Sequence, residues 1–168
     1  PAFSKIDPQK EPMLLKTVFA SAVKYTTLLL IPATLLLIVL SKTLISALYG
    51  AKWSNAPPFL ILSVLTNLLV FFGGIVAYGL LNAMGETRTV MKLYLLALAI
   101  GISIGFILIP TWGINGMLIS SLFAGIPSLF VSLYLVWKKY AVKINFVAAT
   151  KILAASTLAT ATVYMFLE

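Results

Sequence analysis

The chain has 168 residues, 61% of them hydrophobic and 10% charged, where an ordinary soluble domain carries about 25% charged residues. A chain of this composition cannot cover its own apolar surface in water. It contains no His and no Cys, which removes zinc hydrolysis, thiol catalysis, His-based proton transfer and any disulfide framework.

The charges lie in clusters, and residues 25–41, 53–85, 93–137 and 152–167 contain none. A hydrocarbon layer of about 30 Å takes roughly 20 apolar residues per helix, so 53–85 holds one span with its flanks and 93–137 holds two. The reading is a short cytoplasmic loop over 1–13 followed by a transmembrane helical bundle over 14–167. Its helices fall near 14–40, 57–83, 88–109, 114–138 and 146–167.

The first helix starts after Pro12, a favourable early helical position. Thr17, Ser21 and Lys24 share an arc of about 60° on it, a polar stripe through its cytoplasmic part. Either that stripe faces a watery cavity or Lys24 snorkels to the headgroups. Pro32 falls deep in this helix and Pro127 deep in the fourth; each predicts a kink, either a hinge or a static bend repaired by neighbouring helices.

Residues 41–56 read as an external loop. In the second helix Asn67 is a neutral polar group at mid-membrane depth, which either bonds to another helix or lines a cavity. Gly101 and Gly105 form a Gly-x-x-x-Gly pair in the third helix. The run Pro110-Thr111-Trp112-Gly113-Ile114-Asn115 supplies the turn into the fourth. Ser120 with Ala124, and Ala155 with Ala159 in the fifth helix, make further small-residue pairs, so these faces are expected to pack helix against helix.

Twelve Lys and Arg stand against four Asp and Glu. In a soluble protein that excess suggests nucleic acid, but position argues for topology instead. Alternating across five spans puts Lys5, Lys10, Lys16, Lys24, Arg88, Lys92, Lys138, Lys139, Lys143 and Lys151 on one side and only Lys42 and Lys52 on the other, a strong positive-inside bias. The N-terminus and the 84–88 and 138–145 loops are then cytoplasmic, and the 41–56 and 110–115 loops external. Tyr49, Trp53 and Trp112 form an outer aromatic belt, with Tyr25, Trp137 and Tyr140 forming an inner one.

Asp7, Glu11, Glu86 and Glu168 all fall at helix ends or in loops, so no two carboxylates share a site and no metal-ligand cluster forms. No catalytic residue, metal site or cofactor is expected. The first residue is Pro, with no initiator Met or signal peptide, so the sequence reads as an internal piece of a longer protein.

Four stretches in order carry a resemblance: Pro1-Ala-Phe-Ser-Lys-Ile6, Leu48-Tyr-Gly-Ala-Lys-Trp-Ser-Asn-Ala56, Leu81-Asn-Ala-Met-Gly-Glu-Thr-Arg88 and Leu108-Ile-Pro-Thr-Trp-Gly-Ile-Asn-Gly116. Together they resemble the C-terminal half of the polysaccharide biosynthesis flippases, in the multidrug, oligosaccharidyl-lipid and polysaccharide flippase superfamily. One departure is Glu86, where that family often has Lys. The resemblance implies an all-α polytopic bundle of about five transmembrane helices, most of the C-terminal lobe of a two-lobe transporter. It implies flipping of a lipid-linked oligosaccharide by alternating access in the plasma membrane. The implied partners are the N-terminal lobe of the same polypeptide, membrane lipids and that substrate, and nucleic acid is not among them.

A cavity lined with cations and hydroxyls would replace the hydration that a diphosphate headgroup loses. Lys16, Thr17, Ser21, Lys24, Asn67, Arg88 and Lys92 are the candidates to line it, with the four cations at the cytoplasmic mouth. Basic residues at cytoplasmic helix ends also serve topology and anionic-lipid contact. The alternatives are a multidrug or cation antiporter of the same superfamily, which usually needs an intramembrane acid, a non-transporting scaffold subunit of a glycan-synthesis complex, and a membrane-embedded glycosyltransferase with its acids elsewhere.

Overall fold

The computed structural model describes residues 2–144 and 146–167, and these form helices and turns with no strand among them. Pro1 of the first loop stretch and Glu168 lie outside the described residues. Pro12 opens α1 (Pro12–Val39), where its missing amide is one that a helix start leaves unpaired in any case. Leu15, Phe19, Val23, Thr27, Ile31 and Thr34 are its buried positions, one stripe at helical spacing. The helix continues through Pro32.

Leu40 alone separates α1 from α2 (Ser41–Tyr49), which ends where Gly50 takes φ 76°. The stretch expected as a loop over 41–56 is therefore largely helical, with a 3-10 turn at Ala51–Trp53 after α2. Lys42 marks where the charge-free run stops and not where the helix stops. Leu44, Ile45 and Leu48 keep helical spacing past it.

The helix expected over 57–83 is broken. α3 (Pro57–Leu65) passes into a 3-10 segment over Thr66–Phe72, and Gly73 at φ 67° turns the chain into α4 (Gly74–Ala83), with a 64° bend between the halves. Backbone conformation favours glycine at 73, and close packing favours it at 73 and 74. A Cβ on Gly73 would lie 3.1 Å from Val23 Cγ2 of α1, and one on Gly74 only 2.6 Å from Leu129 Cδ1, while φ at Gly73 is itself in the left-handed region. Phe71 and Phe72 then pack beside Phe146 and Phe130, with ring centroids 6.2 and 6.1 Å apart.

α5 (Thr87–Trp112) and α6 (Ile114–Tyr140) form a hairpin turning on Gly113 at φ 56°. α5 was expected to stop at Ile109, yet Pro110 lies inside its last turn. The proline lacks its own amide, but Thr111 Oγ1 donates to the Leu108 carbonyl at 3.1 Å and the Gly113 amide to that of Ile109 at 2.8 Å, so the turn stays hydrogen-bonded.

The small-residue faces of this hairpin meet as their spacing suggests. A Cβ on Gly101 would be 3.2 Å from Ala124 Cβ, and one on Gly105 3.4 Å from Ser120 Oγ. In α7 (Phe146–Leu167) the expectation fails: Ala155 and Ala159 are exposed, and Ala149, Ser156 and Thr160 are the buried positions. α7 lies along α1. Two faces of this helix carry small residues, so spacing alone did not choose between them.

One core joins Leu15, Phe19 and Val23 of α1 to Val76, Leu80 and Leu81 of α4, Val90 and Leu93 of α5 and Val136 of α6. Outside it, Leu98, Ile102, Phe106 and Ile107 on α5 and Leu158 and Met165 on α7 are exposed, as suits helices whose solvent is lipid. α1, α5, α6 and α7 are each long and apolar enough to cross a membrane, and the bent α3–α4 unit makes a fifth crossing if counted as one span. The chain is an all-α polytopic bundle.

The tightest approach in the hairpin is at Gly116, where a Cβ would fall 2.2 Å from the Leu108 carbonyl oxygen. Gly116→Ala is therefore expected to cost about 1–3 kcal/mol, as overpacking does. Gly79, with nothing within 4 Å, should accept Ala at no cost. Thermal unfolding of both variants in detergent checks this, and equal melting temperatures would contradict the packing.

Candidate functional site

The first half of α1 lies beside the loop after α6 and the start of α7, and several polar side chains of the chain's basic end gather there. α6 ends at Ala141, which takes the left-handed conformation (φ 51°) and bonds its amide to the Trp137 carbonyl at 2.9 Å. This reversal returns the chain toward α1. Lys143 and Ala141 then form, with Lys16, Thr17, Ala20 and Ser21, an open groove of about 540 Å³.

Ala20 and Ser21 also line a second, smaller cavity of about 140 Å³. Lys24 and Thr27 of α1 and Ala148 and Ala149 of α7 complete it. The two hollows thus share a wall and make one polar seam from Lys16 and Lys143 inward to Thr27. Among the described residues, three ammonium groups, three hydroxyls and no carboxylate line the seam, so it favours an anion.

The hydroxyls differ in state. Thr17 Oγ1 donates to the Met13 carbonyl at 3.0 Å, the usual way a hydroxyl is satisfied within a membrane helix. Thr27 is fully buried and its Oγ1 has no hydrogen-bond partner among the described residues. Leaving such a group unpaired costs about 1–3 kcal/mol. Lys24 Nζ lies 5.9 Å from the Tyr25 ring centroid, and both side chains are exposed at the seam's edge.

The seven sequence candidates therefore divide. Lys16, Thr17, Ser21 and Lys24 are brought together along the seam. Asn67 is not with them. It is exposed on the 3-10 segment and lines a different concavity of about 540 Å³ beside Tyr78, Asn82, Tyr94 and Ser128, where the Tyr78 and Tyr94 rings stack with centroids 5.2 Å apart. Arg88 and Lys92 are exposed at the start of α5 and line neither hollow of the seam.

Two seam residues escaped the sequence reading. Lys143 registered only as a topology charge, because nothing local shows that the loop folds back over α1. Thr27 sits three residues after Lys24, and that spacing was its one available signal.

The family model described as Lipid II flippase MurJ matches residues 1–168. The chain belongs to the lipid II flippase MurJ family. This places it in the superfamily to which the loop stretches pointed, as part of a multi-pass membrane transporter for lipid-linked precursors rather than an enzyme. No curated protein and no solved structure matches the chain.

At the same end of the bundle Glu86, in the turn between α4 and α5, pairs with Lys139 in the last turn of α6 and accepts a hydrogen bond from Thr89 at 2.7 Å. The pair closes the open end of the α5–α6 hairpin. The Lys139 ammonium first, and the Thr89 hydroxyl second, hold the Glu86 carboxyl below its ordinary pKa. A depressed folded pKa gives stability that is present above the unfolded value and lost as pH falls through the folded one. Glu86→Gln should therefore lower the melting temperature modestly at neutral pH, in line with about 0–1 kcal/mol for an exposed pair, and flatten the loss on acidification. Parallel pH–melting curves for the two proteins would contradict the assignment.

Proposed function

We propose that this chain forms most of the C-terminal lobe of a transporter that moves lipid II from the cytoplasmic to the outer face of the plasma membrane. It would do so by alternating access against the N-terminal lobe of the same polypeptide. The family match supports the substrate. The ten-to-two distribution of Lys and Arg supports a cytoplasmic placement of the end that carries Lys16 and Lys143.

The observation that carries the reading is the open groove of Lys16, Thr17, Ser21 and Lys143. A diphosphate entering hydrocarbon loses hydration worth many kcal/mol, and ammonium and hydroxyl donors replace part of it through charge-assisted hydrogen bonds. The groove is open rather than enclosed, as a site must be that loads a headgroup and then releases it. The exposed apolar side chains of α7, the helix that lies along the seam, give the attached lipid tail a surface continuous with the bilayer.

Full-length protein in proteoliposomes with fluorescent lipid II tests the proposal. The Lys16→Ala, Lys143→Ala double variant should slow translocation about tenfold or more, the scale of one or two lost charge-assisted bonds. Lys10→Ala, whose ammonium lies 3.9 Å from Asp7 in an exposed pair, should leave the rate unchanged. A double variant as fast as the parent would overturn the assignment of the groove.

A further inference from the structure

The smaller cavity has properties the open groove lacks. Its deepest polar group, Thr27 Oγ1, is fully buried and unpartnered. Several hydroxyls elsewhere in the bundle fold back on their own carbonyls: Ser132 to Leu129 at 2.7 Å, Thr160 to Ser156 at 2.7 Å, Thr157 to Leu153 at 2.8 Å. Thr27 is not satisfied in this way, and its hydroxyl is the buried side-chain polar atom left without a partner among the described residues, on a residue that lines the cavity.

The size and donor set narrow what that is. About 140 Å³ is well beyond the 10–15 Å³ of probe volume that one water needs and admits a tetrahedral oxyanion. Among the described residues, the polar side chains that line it are those of Ser21, Thr27 and Lys24, and α7 contributes Ala148 and Ala149. A cation would meet Lys24 with no carboxylate among the described lining residues to offset it, whereas an anion is offered three donors. Lys24 and Tyr25 are exposed at the rim, the pairing of a basic and an aromatic side chain that marks headgroup level. Thr27 lies about 4.5 Å deeper along the helix.

We propose that α1 and α7 together form a phosphate-binding site, in which the Thr27 and Ser21 hydroxyls donate to phosphate oxygens and Lys24 neutralises the charge. Bound phosphate satisfies the orphan hydroxyl and fastens α7 to α1. The site does not depend on which lipid the protein transports. The same chemistry is presented by an anionic phospholipid of the bilayer, by the diphosphate of a polyprenyl lipid and by free phosphate.

The test is the thermal shift of full-length, delipidated protein in neutral detergent on adding phosphatidylglycerol, farnesyl diphosphate or sodium phosphate in turn. At least one should raise the melting temperature by about 3 °C or more, as ligand linkage requires, and the probe that acts identifies the source. Thr27→Val, nearly isosteric, and Ser21→Ala should each remove most of that shift, and Thr27→Ser, which keeps the hydroxyl, should retain it. A water-filled cavity gives no shift with any probe. That result, or a shift of undiminished size in Thr27→Val and Ser21→Ala, would overturn the site.

Discussion

Hydrocarbon offers a hydroxyl no water, and that constraint sorts the polar groups of this bundle. Several fold back onto a carbonyl three or four residues earlier, as Thr17, Ser103, Ser128 and Thr157 do. Thr27 does not. The buried side-chain polar atom left without a partner among the described residues lies where the cations of α1 and the α6–α7 loop gather. The local electrostatics and the unsatisfied hydroxyl thus mark one seam by independent routes.

Close packing holds that seam in position. The α5–α6 hairpin is fixed by Gly101 on Ala124, Gly105 on Ser120 and Gly116 on the Leu108 carbonyl. The bent α3–α4 unit is wedged between α1 and α6 by Gly73 and Gly74. With α4 and α6 so placed, α1 presents one face to the core and leaves its Lys16–Lys24 flank to the loop after α6 and to α7. The Glu86–Lys139 pair ties the open end of the hairpin beside this flank.

The helices were legible because runs without charge are long and the bilayer sets a minimum length. Their interruptions were not. The bend at Gly73 depends on Val23 and Leu129 pressing against backbone, which are contacts between residues far apart in sequence. α2 was hidden because Lys42 reports the edge of the apolar run and says nothing of helical hydrogen bonding. The stripe of Thr17, Ser21 and Lys24 was readable, since local periodicity alone puts those residues on one face. Whether Arg88, Lys92 and Asn67 shared a site with it depended on how the helices associate, and the structure places all three elsewhere. Lys143 needed the reversal at Ala141, a left-handed residue that is not glycine and so carries no sequence mark.

For a transporter of lipid-linked precursors, this arrangement separates two tasks. On the proposed reading the exposed apolar faces of α5 and α7 meet lipid, while the α1 seam offers donors to an anionic headgroup. The separation is tested most directly by site-specific photocrosslinking in membranes with radiolabelled lipid II. A photoreactive residue at Ser21, in the seam, should capture the labelled lipid. One at Ser103, exposed on α5 away from the seam, should not. Equal capture at both positions, or capture at Ser103 alone, would contradict the account.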